Sequence, residues 1–519
     1  MLRPIKRLSR QKDITLCVAS AALLVLAYPG FDLPLLAWGS LIPLLFVFEG
    51  KRPVEAFRWG FFCGLLFFAG TLYWFFNLTR WFSFIAALGV TLLFCYLALY
   101  FGVFGALTSY FFRKAPLQRL FLLPSAWVAL EWVRGHLFTG FDWASLGHSQ
   151  YKNLFMIQIA DITGVYGISF LVMAVNVVFK EMIASRFSKG AGGENRVMLC
   201  LVSVLVLLTL VYGMYRLREA GGRYGETVPV AVIQANIDQD EKFDKTAGAD
   251  IMRRHFALSE EAVKEHPQLM IWPESSHPGF LWEDREHFTG LQDFVRRTQM
   301  PLLFGSILKQ GDDYFNAALL LSKEGAVTGI YRKIHLVPFG EYLPLRHIVP
   351  FLSELVGIGD FTAGAQWTVF PSGVSSANSM SEGKFSVLIC FEDTVARLSR
   401  KFVLNGAQLL VNMTNDGWFG DSIAPYMHLQ SSVFRTVENR RGMVRAANTG
   451  VSCFIDRWGR FGKCIEKTVD GGVKRTAVSG YAIGNADFND NMTFYTKYGD
   501  VFTILCFGCI LWGIVRKKS

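Results

Sequence analysis

Three residues of this sequence stand where their side chains could do chemistry. Cys390 closes the apolar run Phe385-Ser-Val-Leu-Ile-Cys390 and is followed at once by Phe391-Glu392-Asp393. A thiol on a strand-to-helix turn is exposed, and backbone N–H groups beside it can point at a developing oxyanion. Its ordinary pKa lies near about 8.5, so it needs a base or a positive neighbour to become a nucleophile. Glu274 follows a second apolar run in Ile271-Trp272-Pro273-Glu274-Ser275. The proline ends the strand, and the carboxylate stands at the C-terminal edge, where α/β sheets place ligands. Partial desolvation by Trp272 would raise its pKa and suit it to act as a base. Lys333 lies in Tyr331-Arg332-Lys333-Ile334-His335-Leu336-Val337-Pro338-Phe339-Gly340-Glu341-Tyr342. An ammonium group there could stabilise the negative charge of a tetrahedral intermediate, with Glu341 holding it in place. Nucleophile, base and oxyanion stabiliser together describe acyl transfer. Taken singly, each also has a bland reading: a buried strand cysteine, a surface-loop glutamate, a solvated Arg332–Lys333 pair.

The elements needed to position them are short buried strands. Val228–Gln234, Leu269–Trp272, Pro301–Gly305, Ala317–Leu321, Ala326–Ile330, Phe385–Cys390, Leu409–Asn412 and Val451–Ile455 are apolar runs bounded by Gly, Pro, Asn and Asp. Helical intervals at 252–263, 284–298 and 394–404 separate several of them, which is the pattern of an α/β sheet covered on its faces. This polar block runs over 228–487, after a glycine-rich hinge at Gly221-Gly222-Arg-Tyr-Gly225.

The remainder reads as membrane. Of 519 residues, 52% are hydrophobic and only 18% charged, against about 25% charged in soluble domains. Apolar runs near 14–29, 33–49, 58–76, 82–111, 119–135, 163–181, 197–214 and 498–515 give about eight α-helical spans. They form a transmembrane domain over 1–218 with seven spans and a C-terminal helix over 498–515. The net charge of +10 gathers in short segments between these runs, including Lys51, Arg52, Arg113, Lys114, Arg186, Arg516 and Lys517. With the N-terminus inside, those segments obey the positive-inside rule, so the charge sets orientation and is not a nucleic-acid footprint. Glu131 and Arg134, three apart on one helical face, are placed to pair with each other. Cys506 and Cys509 form a C-x-x-C inside a lipid-length run and read as packing residues. Cys453 and Cys464 flank the turn-like Asp456-Arg457-Trp458-Gly459, a spacing that allows a cross-strand disulfide. No H-E-x-x-H or Walker-type loop occurs, so neither metal nor other cofactor is expected.

In order along the chain, WPE, YRK-x-H-L-x-P-F-G-E-Y and CFE resemble the nitrilase superfamily, whose members share a Glu–Lys–Cys triad in an α-β-β-α sandwich. With seven apolar runs before this block and one after it, the chain is similar throughout to the apolipoprotein N-acyltransferase family. Gln234-Ala-Asn-Ile237, Asn412-Met-Thr-Asn-Asp-Gly-Trp-Phe419 and Arg445-Ala-Ala-Asn448-Thr-Gly450 carry the likeness further. The resemblance implies Glu274 as general base, Lys333 as oxyanion stabiliser and Cys390 as nucleophile. It places Asn316, Glu341, Glu392 and Trp418 among supporting or substrate-binding residues. Phe391 stands where relatives often carry tyrosine, and Phe243 where a tryptophan often occurs, so no hydroxyl or indole N–H is available there. The implied donor is a membrane phospholipid, and the implied acceptors are diacylglyceryl-cysteine apolipoproteins. The implied site is the outer, periplasmic face of a bacterial inner membrane. A tethered amidase or hydrolase, with water as acceptor, is the nearest rival; a transporter with a ligand-binding domain is a more distant one. The apolar segment 343–361, with Gly357 and Gly359 within it, reads either as a core helix or as a flap lining an acyl-chain groove.

The orientation can be checked directly. A reporter fused after Arg218 is expected outside the cytoplasm and one after Ser519 inside; both on one side would break the eight-span topology.

Overall fold

A computed structural model of the chain describes residues 2–186, 192–219, 227–244, 246–344, 360–375, 382–469 and 471–515. The glycine-rich segment 221–225 and most of the apolar segment 343–361 lie outside these residues. The chain divides into two compact units, Met1–Arg218 with Tyr498–Ser519, and Glu219–Lys497.

The first unit is helical. Its main helices are Leu2–Leu26, Pro53–Thr71, Thr79–Phe111, Pro116–His136, Val165–Ser185, Gly192–Glu219 and Val501–Val515. Among the described residues, three are long and apolar enough to cross a membrane: Phe84–Phe111, Val165–Ser185 and Gly193–Glu219. A fourth is reached if Pro53–Thr71 and Tyr73–Trp81, bent by 62° at their break, count as one. This corrects the expected eight. All eight apolar runs do lie largely on helical backbone, but several fall short of a full apolar helix. The 33–49 run breaks into Pro34–Leu36, Ala37–Ser40 and Ile42–Phe48. Val501–Val515 has 15 described helical residues, and Pro116–His136 carries Arg119, Glu131 and Arg134. Glu131 and Arg134 each find partners inside the unit, although no salt bridge between the two is present among the described residues. Glu131 accepts the Trp127 indole N–H at 2.7 Å and the Leu146 N–H at 2.6 Å. Arg134 donates to the Ser145 hydroxyl at 2.8 Å and lies over the Phe68 ring.

The second unit is an α/β sandwich. Its strands are β1 Thr227–Gln234, β2 Leu269–Ile271, β3 Leu302–Gln310, β4 Asp313–Leu321, β5 Val327–Arg332, β6 Phe370–Ser375, β7 Glu382–Ile389, β8 Leu409–Thr414, β9 Gly442–Ala447, β10 Cys453–Ile455, β11 Phe461–Cys464, β12 Lys467–Val469, β13 Gly472–Lys474 and β14 Gly480–Asp487. They form two six-stranded sheets, ordered β14-β1-β2-β3-β4-β5 and β11-β10-β9-β8-β7-β6, and a small hairpin of β12 with β13. The sheets lie against each other, β1 and β14 on β9 and β10. Helices Gly248–Val263 and Arg285–Thr298 cover the outer face of the first sheet, packing Met252, Leu291, Phe294 and Val295 onto Met270, Leu302, Phe304 and Leu319. Ala396–Leu404 and Ala424–Asn439 cover the second. Four layers result, and central strands buried on both faces explain why their sequences are continuous apolar runs rather than alternating ones.

Two features of this frame position chemistry. In the second sheet β7, β8 and β9 run parallel, Ile389 opposite Met413 and Thr414 opposite Ala447. Their C-terminal ends therefore open at one edge. In the first sheet, Gly305 of β3 lets the turn after β2 fold close: its carbonyl accepts the Ser276 and His277 N–H groups at 3.0 and 3.1 Å. A Cβ at Gly305 would lie 2.6 Å from Ser275 N, 2.7 Å from Pro273 O and 2.8 Å from Glu274 Cα. Those neighbours are backbone and cannot swing aside. Gly305→Ala is expected to cost about 1–3 kcal/mol through overpacking, measured as a lowered denaturation midpoint of the full chain in detergent; an unchanged midpoint would show that the turn yields freely.

Candidate active site

Glu274 leaves β2 through Pro273 and is buried, 8% exposed. Its Oε1 accepts the Asn316 side-chain N–H at 2.7 Å, and its Oε2 accepts the Asn415 backbone N–H at 2.9 Å. Lys242, five residues beyond Ile237, donates to the carbonyls of Glu274 and Ser275 at 3.2 and 3.0 Å. It thereby fixes a turn in which Ser275 takes a left-handed φ of 48°. Burial pushes the Glu274 carboxyl above its usual range, against the pull of Lys333. Burial lowers the Lys242 ammonium to about 8, with Glu274 opposing the shift.

Lys333 is placed by the β4–β5 ladder. Ala317 pairs with Arg332, and the Lys333 N–H continues the ladder onto the Asn316 carbonyl at 2.8 Å, so Lys333 and Asn316 lie side by side. The ammonium is 2.8 Å from Glu341 Oε1 and 3.8 Å from Glu274 Oε1, and 5.6 Å from the centre of the Phe391 ring. Burial works against its charge, but Glu341 and Glu274 outweigh that and hold its pKa above the usual lysine value. Glu341 is itself held, accepting the Val337 N–H at 2.8 Å and the Asn316 amide at 2.8 Å. Asn316 thus bridges the two carboxylates on either side of one ammonium.

Cys390 follows β7 with a left-handed φ of 54°, a conformation a non-glycine residue keeps only when its surroundings enforce it. Its carbonyl accepts the Asn412 amide at 2.9 Å and lies 3.2 Å from His428 Nε2. Its thiol is half-buried, in hydrogen-bond contact with the Thr414 hydroxyl, and within the fields of Glu274 and Lys333. Burial and then the Glu274 charge push the thiol well up; Lys333 opposes them. A thiol so placed stays protonated until a neighbouring base takes the proton, and Glu274 is the carboxylate whose charge most opposes its ionisation.

Glu392, next but one, is fully buried. Its carboxylate receives the Tyr331 hydroxyl at 2.9 Å on both oxygens, the Ile334 and His335 N–H groups at 2.9 Å, and the Ile389 N–H at 2.8 Å. Burial raises it to about 7, opposed by Lys333 and these donors. It ties the Lys333 segment of one sheet to the Cys390 strand of the other, a supporting part. Phe391 stacks beside His335, ring centres 5.2 Å apart. Phe243 and Trp418 meet edge to face at 5.7 Å, Phe243 exposed and Trp418 half-buried.

The structure therefore brings Glu274, Lys333 and Cys390 together with Asn316, Glu341 and Glu392, while Phe243 and Trp418 form a separate aromatic pair on neighbouring segments. Sequence reasoning missed a second layer under Cys390. His428 lies between Asp393 at 2.7 Å and Asp416 at 3.0 Å, and Arg445 reaches both aspartates at 3.2 Å and Asn412 at 2.6 Å. Burial opposes their ionisation, yet His428 and Arg445 pull Asp416 down to about 2 and lower Asp393 as well. The one available signal was that Asp393, Asn412, Asp416 and Arg445 are polar residues in or directly beyond apolar runs.

The chain is similar to known proteins along most of its length. The family model described as "Apolipoprotein N-acyltransferase N-terminal domain" matches residues 20–178, and "Carbon-nitrogen hydrolase" matches 229–468. A protein of Geobacter metallireducens named apolipoprotein N-acyltransferase is 39% identical over 96% of this chain and 93% of its own. Namesakes from Chlorobaculum tepidum and Methylococcus capsulatus are 30% and 33% identical, over 95% and 86% of this chain and 94% and 87% of theirs.

The Glu392 tie is testable. In Glu392→Gln the amide nitrogen cannot accept the N–H groups that one carboxylate oxygen now receives, and an orphaned buried donor costs about 1–3 kcal/mol. The variant is expected to melt earlier than wild type by light scattering or proteolysis in detergent. Wild-type stability would show that the tie is dispensable.

Proposed function

The chain belongs to the apolipoprotein N-acyltransferase family, and from that premise we propose that it moves a fatty acyl chain from a membrane phospholipid to the N-terminal α-amine of a diacylglyceryl-cysteine lipoprotein, through a thioester on Cys390. The observation carrying the mechanism is the convergence of the Cys390 thiol, the Glu274 carboxylate and the Lys333 ammonium at the facing edges of two sheets.

In the first half-reaction Glu274 takes the thiol proton and the sulfur attacks an ester carbonyl of the lipid. Lys333 and the Phe391 backbone N–H receive the oxyanion, and Glu341 holds the ammonium in position. Collapse of the intermediate returns the proton from Glu274 to the departing lysophospholipid oxygen. In the second, the acceptor's neutral amine attacks the thioester, Glu274 removes its proton and gives it to the leaving sulfur, and an amide remains. Donor and acceptor both reside in lipid, so an enzyme anchored there meets them at high effective concentration. The charge distribution of the loops supports placement in a bacterial inner membrane, with the second unit on its outer face.

Mass spectrometry of the purified protein after incubation with phospholipid is expected to find an acyl group on the Cys390 peptide. Cys390→Ala should abolish it, and Lys333→Ala should slow its appearance by about 10²–10³; normal accumulation in that variant would remove the role given to the lysine. Glu274 acts as base only when ionised, and its pKa is raised. Thioester formation should therefore fall as pH drops through that raised value, at a higher pH than an exposed glutamate would give, and Glu274→Gln should lose the reaction at all pH values. Mixed with a diacylglyceryl-cysteine peptide, the acyl-enzyme should yield amide faster than free fatty acid. If water wins at saturating peptide, the tethered-hydrolase reading replaces this one.

A further inference from the structure

A row of side chains crosses the second sheet from the nucleophile's strand to its outer edge. Leu388 of β7 is paired with Asn412 of β8, Asn412 with Arg445 of β9, Arg445 with Cys453 of β10, and Cys453 with Cys464 of β11. Directly paired residues project from one face of a sheet, so the two cysteines end the row whose inner members support Cys390. Their pairing is of a particular kind. The Ile465 N–H donates to the Ser452 carbonyl at 3.0 Å, which makes 452 and 465 a hydrogen-bonded pair. Hydrogen-bonded and non-hydrogen-bonded pairs alternate along an antiparallel ladder, so Cys453 and Cys464 form a non-hydrogen-bonded pair. Side chains approach most closely there, with Cα atoms about 4.5 Å apart, inside the range a disulfide accepts of about 4.4–6.8 Å. The two thiols are free and touch each other in a hydrogen bond. Their access is unequal. Cys453 is fully buried, whereas Cys464 is half-buried on an edge strand, with its sulfur 3.7 Å from the Gly462 carbonyl.

We propose that Cys453 and Cys464 are a built site of covalent modification, closing to a cross-strand disulfide when a low-molecular-weight disulfide is the oxidant. The order of events follows from access. The Cys464 thiol, favoured as thiolate by its bond from Cys453 and by the nearby Arg475, attacks one sulfur of oxidised glutathione. The first glutathione leaves as a thiol carrying the Cys464 proton, and a mixed disulfide remains. The Cys453 sulfur, already in contact, attacks Cys464 Sγ and releases the second glutathione with the Cys453 proton. Two protein thiols are oxidised, one glutathione disulfide is reduced to two thiols, and no other reactant is needed. Occurrence of the bond in the cell rests on the outward placement of this unit proposed above; the reactivity of the pair does not.

The test uses the full chain in detergent, reduced, exchanged into oxidised glutathione, alkylated and digested without reductant. Mass spectrometry is expected to show the peptides bearing Cys453 and Cys464 joined and two hydrogens lighter, with no glutathione retained. The melting temperature should rise by about 5 °C, from closure of a short loop, and this rise should vanish in Cys464→Ser while acyl transfer persists. Glutathione left on Cys464, a link to any other cysteine, no reaction, or a bond that brings no rise in melting temperature would each overturn the proposal. A second arm takes the protein from cells with free thiols blocked at lysis. If the bond forms in detergent but is missing there, the outward placement fails and the site stands.

Discussion

A single buried carboxylate holds the two halves of the site in register. Glu392 lies beyond the end of β7 in one sheet, yet three of its donors, the Tyr331 hydroxyl and the Ile334 and His335 N–H groups, come from the end of β5 in the other. Its fourth donor, Ile389 N–H, belongs to its own strand. A charge removed from water must be compensated where it sits, so the β5 end cannot drift from the β7 end without stranding that charge and its donors. Lys333 directly follows β5 and Cys390 directly follows β7. The distance between ammonium and thiol therefore depends on Glu392, whose hydrogen bonds go to neither group.

A different demand falls on Cys390 itself. Its left-handed backbone is unfavourable for a residue with a Cβ, and the fold offsets this by gripping its carbonyl from Asn412 and His428. Those two are in turn fixed by Arg445 and by Asp393 and Asp416. Because the members of this network are fully or almost fully buried, their charges interact with little screening, and the network is stiff around Cys390. Lys242 plays the corresponding part for Glu274, gripping two carbonyls of its turn.

Much of this was legible in the sequence, for a definite reason. Central strands buried on both faces appear as unbroken apolar runs, and the triad residues sit at the ends of such runs, where a change from apolar to ionisable is conspicuous. Among the strands that escaped notice, β9 buries Arg445, and the buried positions of β14 are Ala482, Ala486 and Asp487 instead of large apolar residues. The helix Ala424–Asn439 was also missed, since it buries Arg435 and Glu438 as a salt bridge instead of presenting an apolar stripe. The layer under Cys390 depends on contacts between residues far apart in the chain, such as His428 with Asp393, and no spacing rule reveals those. Span counting overshot because apolar composition does not disclose where a helix breaks, as it does between Leu36 and Ile42.

The helix Thr79–Phe111 has 33 residues, a rod of about 50 Å at about 1.5 Å per residue. The hydrocarbon of a bilayer is about 30 Å thick. Tilting alone would need an inclination of about 53°, beyond the about 0–40° that membrane helices adopt. One end must therefore stand clear of the acyl chains, and the first turn is equipped for it: Arg80 lies over the Trp81 ring at 5.0 Å, a cation and an aromatic suited to the headgroup layer. A rod of fixed length makes the height of that end a function of the host lipid, higher in a thin bilayer and lower in a thick one.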